Sequence, residues 1–471
     1  MSAPDPRDRR IAELEAQLAA ALRAVTELTA RVESLEERLR VAESRLKKNS
    51  TNSDKPPSSD GPEVTRTGSK TTGKKRGGQD GHEAHTRELI PTEECRKVIA
   101  HKPRRCRCGS TQLGPLEMRS RHQVTYLPKL VAPVDEHQSF GGTCRGCGAD
   151  VVEPIPPEFL CSAFGACVVA LVGQLTGEYH LPKRTVVAVL SDLFGIEISL
   201  GSVCDQEQVV AKAIAQPVAE AHDAAKRAAR GNADETGWRE NKKRAWLWVL
   251  VTQVATVFVI ASSRGGQAAK ALVGEGFRGV LTTDRWVSYG AIGAAWRQLC
   301  WAHLVRDFLG WVDQGGDGAL LANELLKRTK KMFRWWNQFK DRRISRAVFQ
   351  ERMVPLRREM LELLEAAGVC PETKTAGMAR EILKLRDALF TFVDHLGVDP
   401  TNNAAERAIR HAVIWRKICF GTDSAAGSRY VERMLTVVAT LKQQQRLVRS
   451  YLTEAIQALR DGLPAPRLLP V

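Results

Sequence analysis

Three acidic residues stand in settings suited to metal-dependent chemistry. Asp234 lies in the segment NADETGW, Asp284 ends the apolar run VLTTD, and Glu406 lies in TNNAAERAIR, at the expected start of a helix. Carboxylates are hard ligands that suit Mg²⁺. Contributed by two strands and a helix, they can hold two metal ions about 3.5–4 Å apart, which stabilise the attacking and leaving oxygens of a phosphodiester. The order of the three acids therefore predicts phosphodiester cleavage.

Each acid also has a purely structural interpretation. Asp234 could cap a turn, and Asp284 could be an exposed acid at a strand end. Glu406 could complete a capping box with Asn403 or pair with Arg410 one helical turn away. For any single acid the structural interpretation is favoured, and only the order of all three along the chain favours catalysis.

Cysteines form two short knuckles, each followed by a glycine: Cys106-Arg-Cys108-Gly109 and Cys144-Arg-Gly-Cys147-Gly148. Thiolates bind Zn²⁺ tetrahedrally, and the glycine allows a tight turn around the metal. We expect a structural zinc ion held by Cys106, Cys108, Cys144 and Cys147, with free thiols as the alternative. The first knuckle is one residue shorter than Cys-x-x-Cys, so upstream Cys95 is a replacement candidate. No βαβ pattern surrounds the second knuckle, which disfavours a thioredoxin-like role.

Composition narrows the choice of partner. The chain has 471 residues, 70 Lys and Arg against 54 Asp and Glu, and a net charge of +16. This basic excess indicates a polyanion, with nucleic acid first. No apolar run of about 18 residues predicts a membrane span, and no signal peptide is visible. Eleven cysteines, an odd number, argue against a disulfide framework. We therefore expect a cytoplasmic protein that works on DNA.

The N-terminal region predicts a dimer. Apolar residues recur at steps of three and four over residues 11–46, which is typical of a coiled coil, so we expect a leucine zipper over 1–48 and a homodimer through it. The alternative is an amphipathic helix packed on the same chain. Residues 49–94 read as a Ser-, Pro- and Gly-rich linker with a basic second half that can contact phosphates.

The middle of the chain changes from helix to strand. Residues 95–158 form the zinc-binding region, and residues 159–228 read as helices. Within them, PKRTVVAVLSDLFGIEISLGSVCDQEQVV has the pattern of a helix-turn-helix that turns at Gly195, although generic helical packing fits equally well. Further on, AWLWVLVT and ATVFVIAS predict a hairpin, and RGVLTTD predicts another strand.

A second helical stretch, at about 316–395, is strongly basic. Lys327 to Arg358 contains twelve Lys and Arg but only two acids, and Phe333, Trp335, Trp336 and Phe339 sit among those charges. A solvated helix face would explain the charges but not the aromatic residues. We therefore predict an insertion that faces DNA through Lys330, Lys331 and Arg334.

Across nearly its whole length the chain resembles the transposases of the insertion sequence 66 family, the TnpC-type proteins. The motifs that carry the resemblance are, in order, the N-terminal zipper, KKNSTNSDKPPSSD, the two knuckles, DETGW, LTTDRWVSYG, CWAHLVRDF, NNAAERAIR and WRKICFGTDSAAG. The short first knuckle departs from the family pattern.

The resemblance implies an α/β catalytic core with an RNase H-like fold over residues 229–425, interrupted by the basic helical insertion. A coiled coil, a zinc ribbon and a helical DNA-binding region would precede it, and a helical region, 426–471, would follow. It also implies a DDE triad of Asp234, Asp284 and Glu406 that uses Mg²⁺ or Mn²⁺. DNA-contacting side chains would include His303 and Arg306 beside the active site, and Arg410.

The leading hypothesis is a transposase that cuts double-stranded DNA at the ends of an insertion sequence and joins the freed 3′-hydroxyl to target DNA, with helper proteins of the same element as candidate partners. Water would be the first nucleophile, with no covalent protein intermediate. A tyrosine recombinase would instead use Tyr430 or Tyr451 as nucleophile, with support from Arg410, Arg429 and Arg433, but it leaves the three acids idle. The non-enzymatic alternative is a dimeric zinc-ribbon DNA-binding regulator with an inactive nuclease fold.

Overall fold

The computed structural model describes residues 6–46, 48–49, 52, 87–128, 130–160 and 162–470. Most of the predicted basic linker lies outside the described residues.

The first element is one long helix, α1 (Pro6–Leu46). The helix predicted from the heptad pattern is therefore present. The apolar residues of its seam are exposed: Leu28 and Leu35, for example, leave 60% and 51% of their surface to solvent. An exposed apolar stripe of this length is unfavourable in water, so we expect the seam to pack against another helix.

The knuckle region contains little regular structure. Two three-residue strands, β1 (Gly141–Thr143) and β2 (Asp150–Val152), pair antiparallel, with Thr143 opposite Asp150. The second cysteine knuckle is the connection between them. A short helix, α2 (Pro157–Leu160), follows.

Four helices precede the sheet: α3 (Ala166–Gly177), α4 (Lys183–Phe194), α5 (Leu200–Ala213) and α6 (Ala215–Lys226). The predicted turn between two helices, at Gly195, is present. Gly195 ends α4 with a left-handed φ of +65°, a conformation that glycine adopts without strain. Ser199 begins α5, and its Oγ accepts a hydrogen bond of 3.0 Å from the amide of Ser202.

A mixed five-stranded sheet forms the centre of the α/β core. Its strands are β3 (Arg230–Glu240), β4 (Lys243–Thr252), β5 (Thr256–Ala261), β6 (Val280–Thr283) and β7 (Arg297–Leu299), with α7 (Gly266–Val273) between β5 and β6. The spatial order is β5-β4-β3-β6-β7. The first three strands form an antiparallel meander that includes the predicted hairpin, whereas β6 and β7 run parallel to β3.

The predicted helical insertion is present and has its own core. Helix α8 (Trp301–Val312) precedes it, and it contains α9 (Gly316–Lys340), α10 (Arg346–Gly368), α11 (Thr373–Leu383) and α12 (Thr391–Asp394). Its aromatic residues correct our argument from composition. Trp336 packs against Phe339, Phe349 and Phe392 with ring centres 5.3–5.7 Å apart, inside that core. Core packing, rather than contact with DNA, therefore accounts for most of the aromatic residues.

Three helices complete the chain: α13 (Asn403–Cys419), α14 (Ala425–Gln443) and α15 (Val448–Arg460). Helix α14 lies along the outer edge of β5. Thr440 Oγ1 and Thr436 Oγ1 accept hydrogen bonds from the amides of Thr256 and Phe258, at 3.1 and 3.0 Å, and a carboxylate oxygen of Glu432 accepts from the amide of Ile260. Burial raises the pKa of Glu432 to about 7.

The opposite edge of the sheet is covered by the insertion, because Thr391 Oγ1 donates to the carbonyl of Arg297 on β7. Among the described residues, no helix is long and apolar enough to cross a membrane.

We predict that α1 makes the protein a dimer. Deleting residues 1–48 should halve the mass measured by light scattering, because it removes the exposed apolar seam. Replacing Leu28 and Leu35 together by Lys should have the same effect without shortening the chain, whereas Glu27→Lys, which leaves the seam intact, should not. An unchanged mass in the deletion variant would mean that dimerisation, if present, uses another surface.

Candidate active site

The two aspartates are delivered by neighbouring parallel strands. Asp234 lies within β3, and Asp284 follows the last residue of β6. The strands pair in register from Arg230 opposite Val280 to Asn232 opposite Thr282. The same register continued by two residues places Asp234 beside Asp284, and both follow the last paired position. The neighbouring strands thus present both carboxylates at the same end of the sheet.

Glu406 lies in the first turn of α13, near enough to Asp234 for its charge to raise the pKa of that aspartate. The helix is held there by Asn402, which is 1% exposed and immediately precedes it. The Asn402 amide group donates to the carbonyl of Ala233 at 2.8 Å and accepts from Asn232 Nδ2 at 3.1 Å. The backbone N–H of Asn402 donates to Cys300 Sγ at 3.1 Å. One buried side chain thus fixes the start of α13 against β3.

This arrangement removes the structural interpretations of Glu406. The residue preceding α13 is Asn402 rather than Asn403, and its side chain caps no helix amide. The ion pair of Glu406 is formed with His303 Nδ1, 3.6 Å from Oε1. Arg410 is exposed on the same helix.

The three carboxylates interact electrostatically. Burial raises the pKa of Asp234 well above its ordinary value, and the negative charges of Glu235, Asp284 and Glu406 raise it further. A hydrogen bond of 2.9 Å from the amide of Glu235 opposes this effect. Glu406 Oε1 is buried and accepts no hydrogen bond from the described residues. The cluster therefore favours the arrival of positive charge.

Asp284 is held in place by its surroundings. Its Oδ1 accepts a hydrogen bond of 2.9 Å from the amide of Trp286, and its carbonyl accepts from Thr283 Oγ1 and from Arg297 Nη2 at 2.7 and 3.0 Å. Arg297 is 1% exposed, and burial lowers the pKa of its guanidinium. Sequence analysis did not identify Arg297, because an isolated arginine at the start of a three-residue strand has no distinguishing pattern.

Glu235 is a second feature that sequence analysis missed. Its side chain is fully buried; Oε1 accepts from Arg264 Nε and Nη2 at 2.8 and 2.7 Å, and Oε2 accepts from the Tyr289 hydroxyl at 2.7 Å. All of its partners are distant in sequence. The only available signal in the sequence was the acidic pair Asp234-Glu235. Two adjacent negative charges repel each other, so one of them needs a positively charged partner.

His303 and Arg306 lie one turn apart on α8, and His303 is beside Glu406. Ligand atoms of Cys300, His303 and Glu406 all lie within 4.8 Å of one another. Burial raises the pKa of the Cys300 thiol to about 11. Arg306 is half-buried, and its Nε has no hydrogen-bond partner among the described residues. Of the two residues predicted to contact phosphate, His303 is therefore next to Glu406, and Arg306 lies on the same face of α8 as His303.

The four knuckle cysteines fold into two similar turns. Gly109 and Gly148 have φ values of +91° and +77°, and their amides donate to the carbonyls of Cys106 and Cys144 at 2.9 and 2.8 Å. Hydrogen bonds from the backbone and the thiol of Cys108 lower the pKa of Cys106, and backbone hydrogen bonds from Cys147 and Gly146 lower that of Cys144.

The two knuckles do not meet in this structure. Among the described residues, the group of three or more ligand atoms within 4.8 Å consists of Cys300, His303 and Glu406 and includes no knuckle cysteine. The thiol of Cys95, the replacement candidate, contacts the Pro91 carbonyl and Gln123 Nε2 at 3.5 and 3.4 Å.

The candidate nucleophiles of a tyrosine recombinase are buried. Tyr430 is 3% exposed, its hydroxyl lies 2.5 Å from Thr176 Oγ1, and burial raises its pKa well above the ordinary value. Tyr451 is 2% exposed and donates to the carbonyl of Pro466 at 3.0 Å. Neither hydroxyl can reach a phosphodiester without local unfolding, which disfavours that enzyme class.

Lys330, Lys331 and Arg334 are exposed on one stretch of α9. The Lys331 ammonium lies 4.9 Å from the centre of the half-buried Trp335 ring. The basic face predicted from composition is thus solvent-accessible.

Two comparisons with relatives give low identity and no functional name. The chain is 25% identical over 249 residues to the uncharacterized protein y4qI of Sinorhizobium fredii, covering 48% of this chain and 46% of that protein. It is 25% identical over 414 residues to the uncharacterized protein y4hP of the same organism, covering 80% of this chain and 74% of that protein. The chain thus spans less than half the length of y4qI.

Family profiles are more informative. Residues 1–88 match a family of unknown function, DUF6444, which includes α1. Residues 162–430 match the transposase IS66 family. That match covers more than half of the chain and contains all three clustered acids, β3 to β7 and the helical insertion. The chain therefore belongs to the transposase IS66 family.

Proposed function

We propose that this protein is a DDE-type transposase that cuts double-stranded DNA at the ends of an insertion sequence and joins the freed ends to target DNA. The observation that carries the proposal is the convergence of Asp234, Asp284 and Glu406 from two parallel strands and a helix. Family membership supports transposase function in general, and the three acids support metal-dependent cleavage of a phosphodiester in particular. The non-enzymatic regulator gains no support from a site whose three acids are all present and interact electrostatically.

The sheet supports an RNase H-like core for this activity. The two aspartates come from adjacent parallel strands, and the glutamate comes from a helix that follows a long insertion. The helices of the insertion pack in a hydrophobic cluster that also includes Val280 of β6 and Leu299 of β7 and is distinct from the cluster that joins the sheet to α13, α14 and α15. This separation supports a catalytic unit at about 229–425, interrupted at about 316–395.

The residues present fit a divalent cation. Three carboxylates offer hard oxygen ligands, their charges repel one another, and Glu406 Oε1 is buried and accepts no hydrogen bond from the described residues. Asp234, Asp284 and Glu406 would hold Mg²⁺ or Mn²⁺. When bound, such ions stabilise negative charge on the attacking and leaving oxygens of a phosphodiester.

The chain's own residues orient these groups. The amides of Glu235 and Trp286 fix one oxygen each of Asp234 and Asp284, and Asn402 fixes the helix that carries Glu406. We assign contact with the DNA phosphate to His303 and to Arg306, whose Nε is buried and unpaired among the described residues. Water attacks first and releases a 3′-hydroxyl, which then attacks target DNA and displaces another 3′-oxygen.

We predict that Asp234→Asn, Asp284→Asn and Glu406→Gln each reduce nicking and joining by about 10²-fold or more. The amides keep the shape of the carboxylates but lose the charge that a cation needs. DNA binding should persist, because removing a negative charge does not weaken attraction to phosphate. Cleavage of labelled element ends with Mg²⁺, together with a gel shift, measures both properties.

Asp461→Asn, which changes an exposed acid after α15, is the matched control and should leave cleavage intact. Tyr430→Phe should also retain activity. Normal cleavage by Asp284→Asn, or a protein–DNA adduct that disappears in Tyr430→Phe, would contradict the triad.

We further propose that the exposed basic face of α9 contacts DNA. If the protein replaces about 6–10 counterions, its affinity should fall about 10³–10⁵-fold between roughly 50 and 200 mM salt. Replacing Lys330, Lys331 and Arg334 by Gln should reduce the slope of log affinity against log salt by about 2–3. The same loss of charge on α1, from Arg23, Arg31 and Arg38, should change it less. Equal slopes in the two variants would exclude α9 as the DNA face.

We propose that the two knuckles bind one Zn²⁺ per chain. The left-handed glycines and the amide hydrogen bonds that lower the thiol pKa of Cys106 and Cys144 suit thiolate ligands. The knuckles would have to approach each other on binding. Metal analysis should find about one zinc ion per purified chain, and Cys144→Ser should lose it while Cys167→Ser keeps it. Zinc-free wild-type protein would refute the site.

A further inference from the structure

An alternating series of guanidinium and indole groups leads to the catalytic acids. The Arg244 guanidinium lies 4.8 Å from the centre of the Trp246 ring, and that of Arg264 lies 4.9 Å from the same ring. Arg264 also lies 3.6 Å from the centre of the Trp286 ring. The series ends at Trp286, which leaves 38% of its surface to solvent.

Trp286 is linked directly to the proposed active site. Its amide donates to Asp284 Oδ1 at 2.9 Å, so the ring begins two residues from a catalytic carboxylate. Its indole Nε1 donates to the carbonyl of Arg264 at 3.4 Å. The ring is therefore held both through its backbone and through its edge.

The underlying arginine is itself rigid. Two nitrogens of Arg264 contact Glu235 Oε1 at 2.7 and 2.8 Å, and the Glu235 side chain is fully buried beside Asp234. The guanidinium cannot move away without leaving a buried carboxylate unpaired, which is unfavourable. Trp286 is thus a large aromatic surface in a fixed position, partly open to solvent, and connected to both aspartates.

We propose that Trp286 stacks an unpaired nucleobase of the DNA next to the phosphodiester being cut. This inference rests on the proposed function and adds a binding subsite to it. A nucleobase is the planar group that DNA brings to within a few ångströms of a phosphodiester, and it extends a series of planar groups. Stacking on aromatic side chains needs no particular base, and each stacked base contributes roughly 5- to 100-fold in affinity.

The test compares two short DNA duplexes of the same sequence in EDTA, where no cutting occurs. One is fully paired and the other carries one unpaired thymine. The wild-type protein should bind the second roughly 5- to 100-fold more tightly, because no base pair has to be opened before stacking. Trp286→Ala should abolish that preference, and Trp286→Phe should keep part of it. Fluorescence anisotropy measures both affinities.

Trp296→Ala is the matched control, since this tryptophan is 50% exposed and takes part in no cation–π contact with the residues that the structure describes. With 2-aminopurine as the unpaired base, its fluorescence should be quenched in the wild-type and Trp296→Ala complexes and bright in the Trp286→Ala complex.

An unchanged preference or quenching in Trp286→Ala would overturn the stacking subsite. If all variants bind both duplexes equally and salt-sensitively, stacking fails while the proposed transposase stands. If the wild-type protein binds neither duplex, both proposals fail.

Discussion

The position of Glu406 depends on one buried amide side chain. Asn402 bonds to Ala233 and Asn232 on β3 through its side chain and to Cys300 at the start of α8 through its backbone. Three segments from distant parts of the sequence therefore meet at one residue. A buried amide of this kind is stable only when its donors and acceptors are all satisfied, which makes the arrangement specific. The chain is thus joined to itself on both sides of the insertion, at Cys300 and Asn402.

The second constraint is repulsion between like charges. The charges of Glu235, Asp284 and Glu406 all raise the pKa of Asp234, so these carboxylates repel one another. Glu235 is compensated by Arg264 and by the Tyr289 hydroxyl and is removed from solvent. Glu406 pairs with His303, and the Arg297 guanidinium interacts with Asp284. Compensation of Glu235 thus limits the repulsion that the neighbouring acids experience.

Much of this arrangement was predictable from sequence because it is local. Strand propensity located β4, β5 and β6, Gly195 marked the end of α4, and the order of the three acids predicted a common site. The supporting residues were not predictable, because Asn402, Glu235 and Arg297 find their partners far along the chain. Composition was misleading for Trp336 and Phe339, whose basic neighbours suggested a surface although both rings pack inside the insertion. Residues adjacent in the sequence of a helix point in different directions, so an aromatic residue can be buried while its charged neighbours are exposed. The composition of a segment does not show which face each residue occupies.

The hydrogen bonds between β5 and α14 affect whether the edge of the sheet can pair with a strand of another molecule. Residues four apart on a helix rise about 6 Å, close to the spacing of alternate residues on a strand. The side chains of Glu432, Thr436 and Thr440 can therefore accept hydrogen bonds from the outward-facing amides of Ile260, Phe258 and Thr256, in that order. A free edge of this kind would recruit a strand from another molecule and start intermolecular sheet growth. With the outward amides of β5 bonded to a helix and the Arg297 carbonyl of β7 bonded to Thr391, both edges of the five-stranded sheet have partners within the chain that oppose pairing with a strand of another molecule.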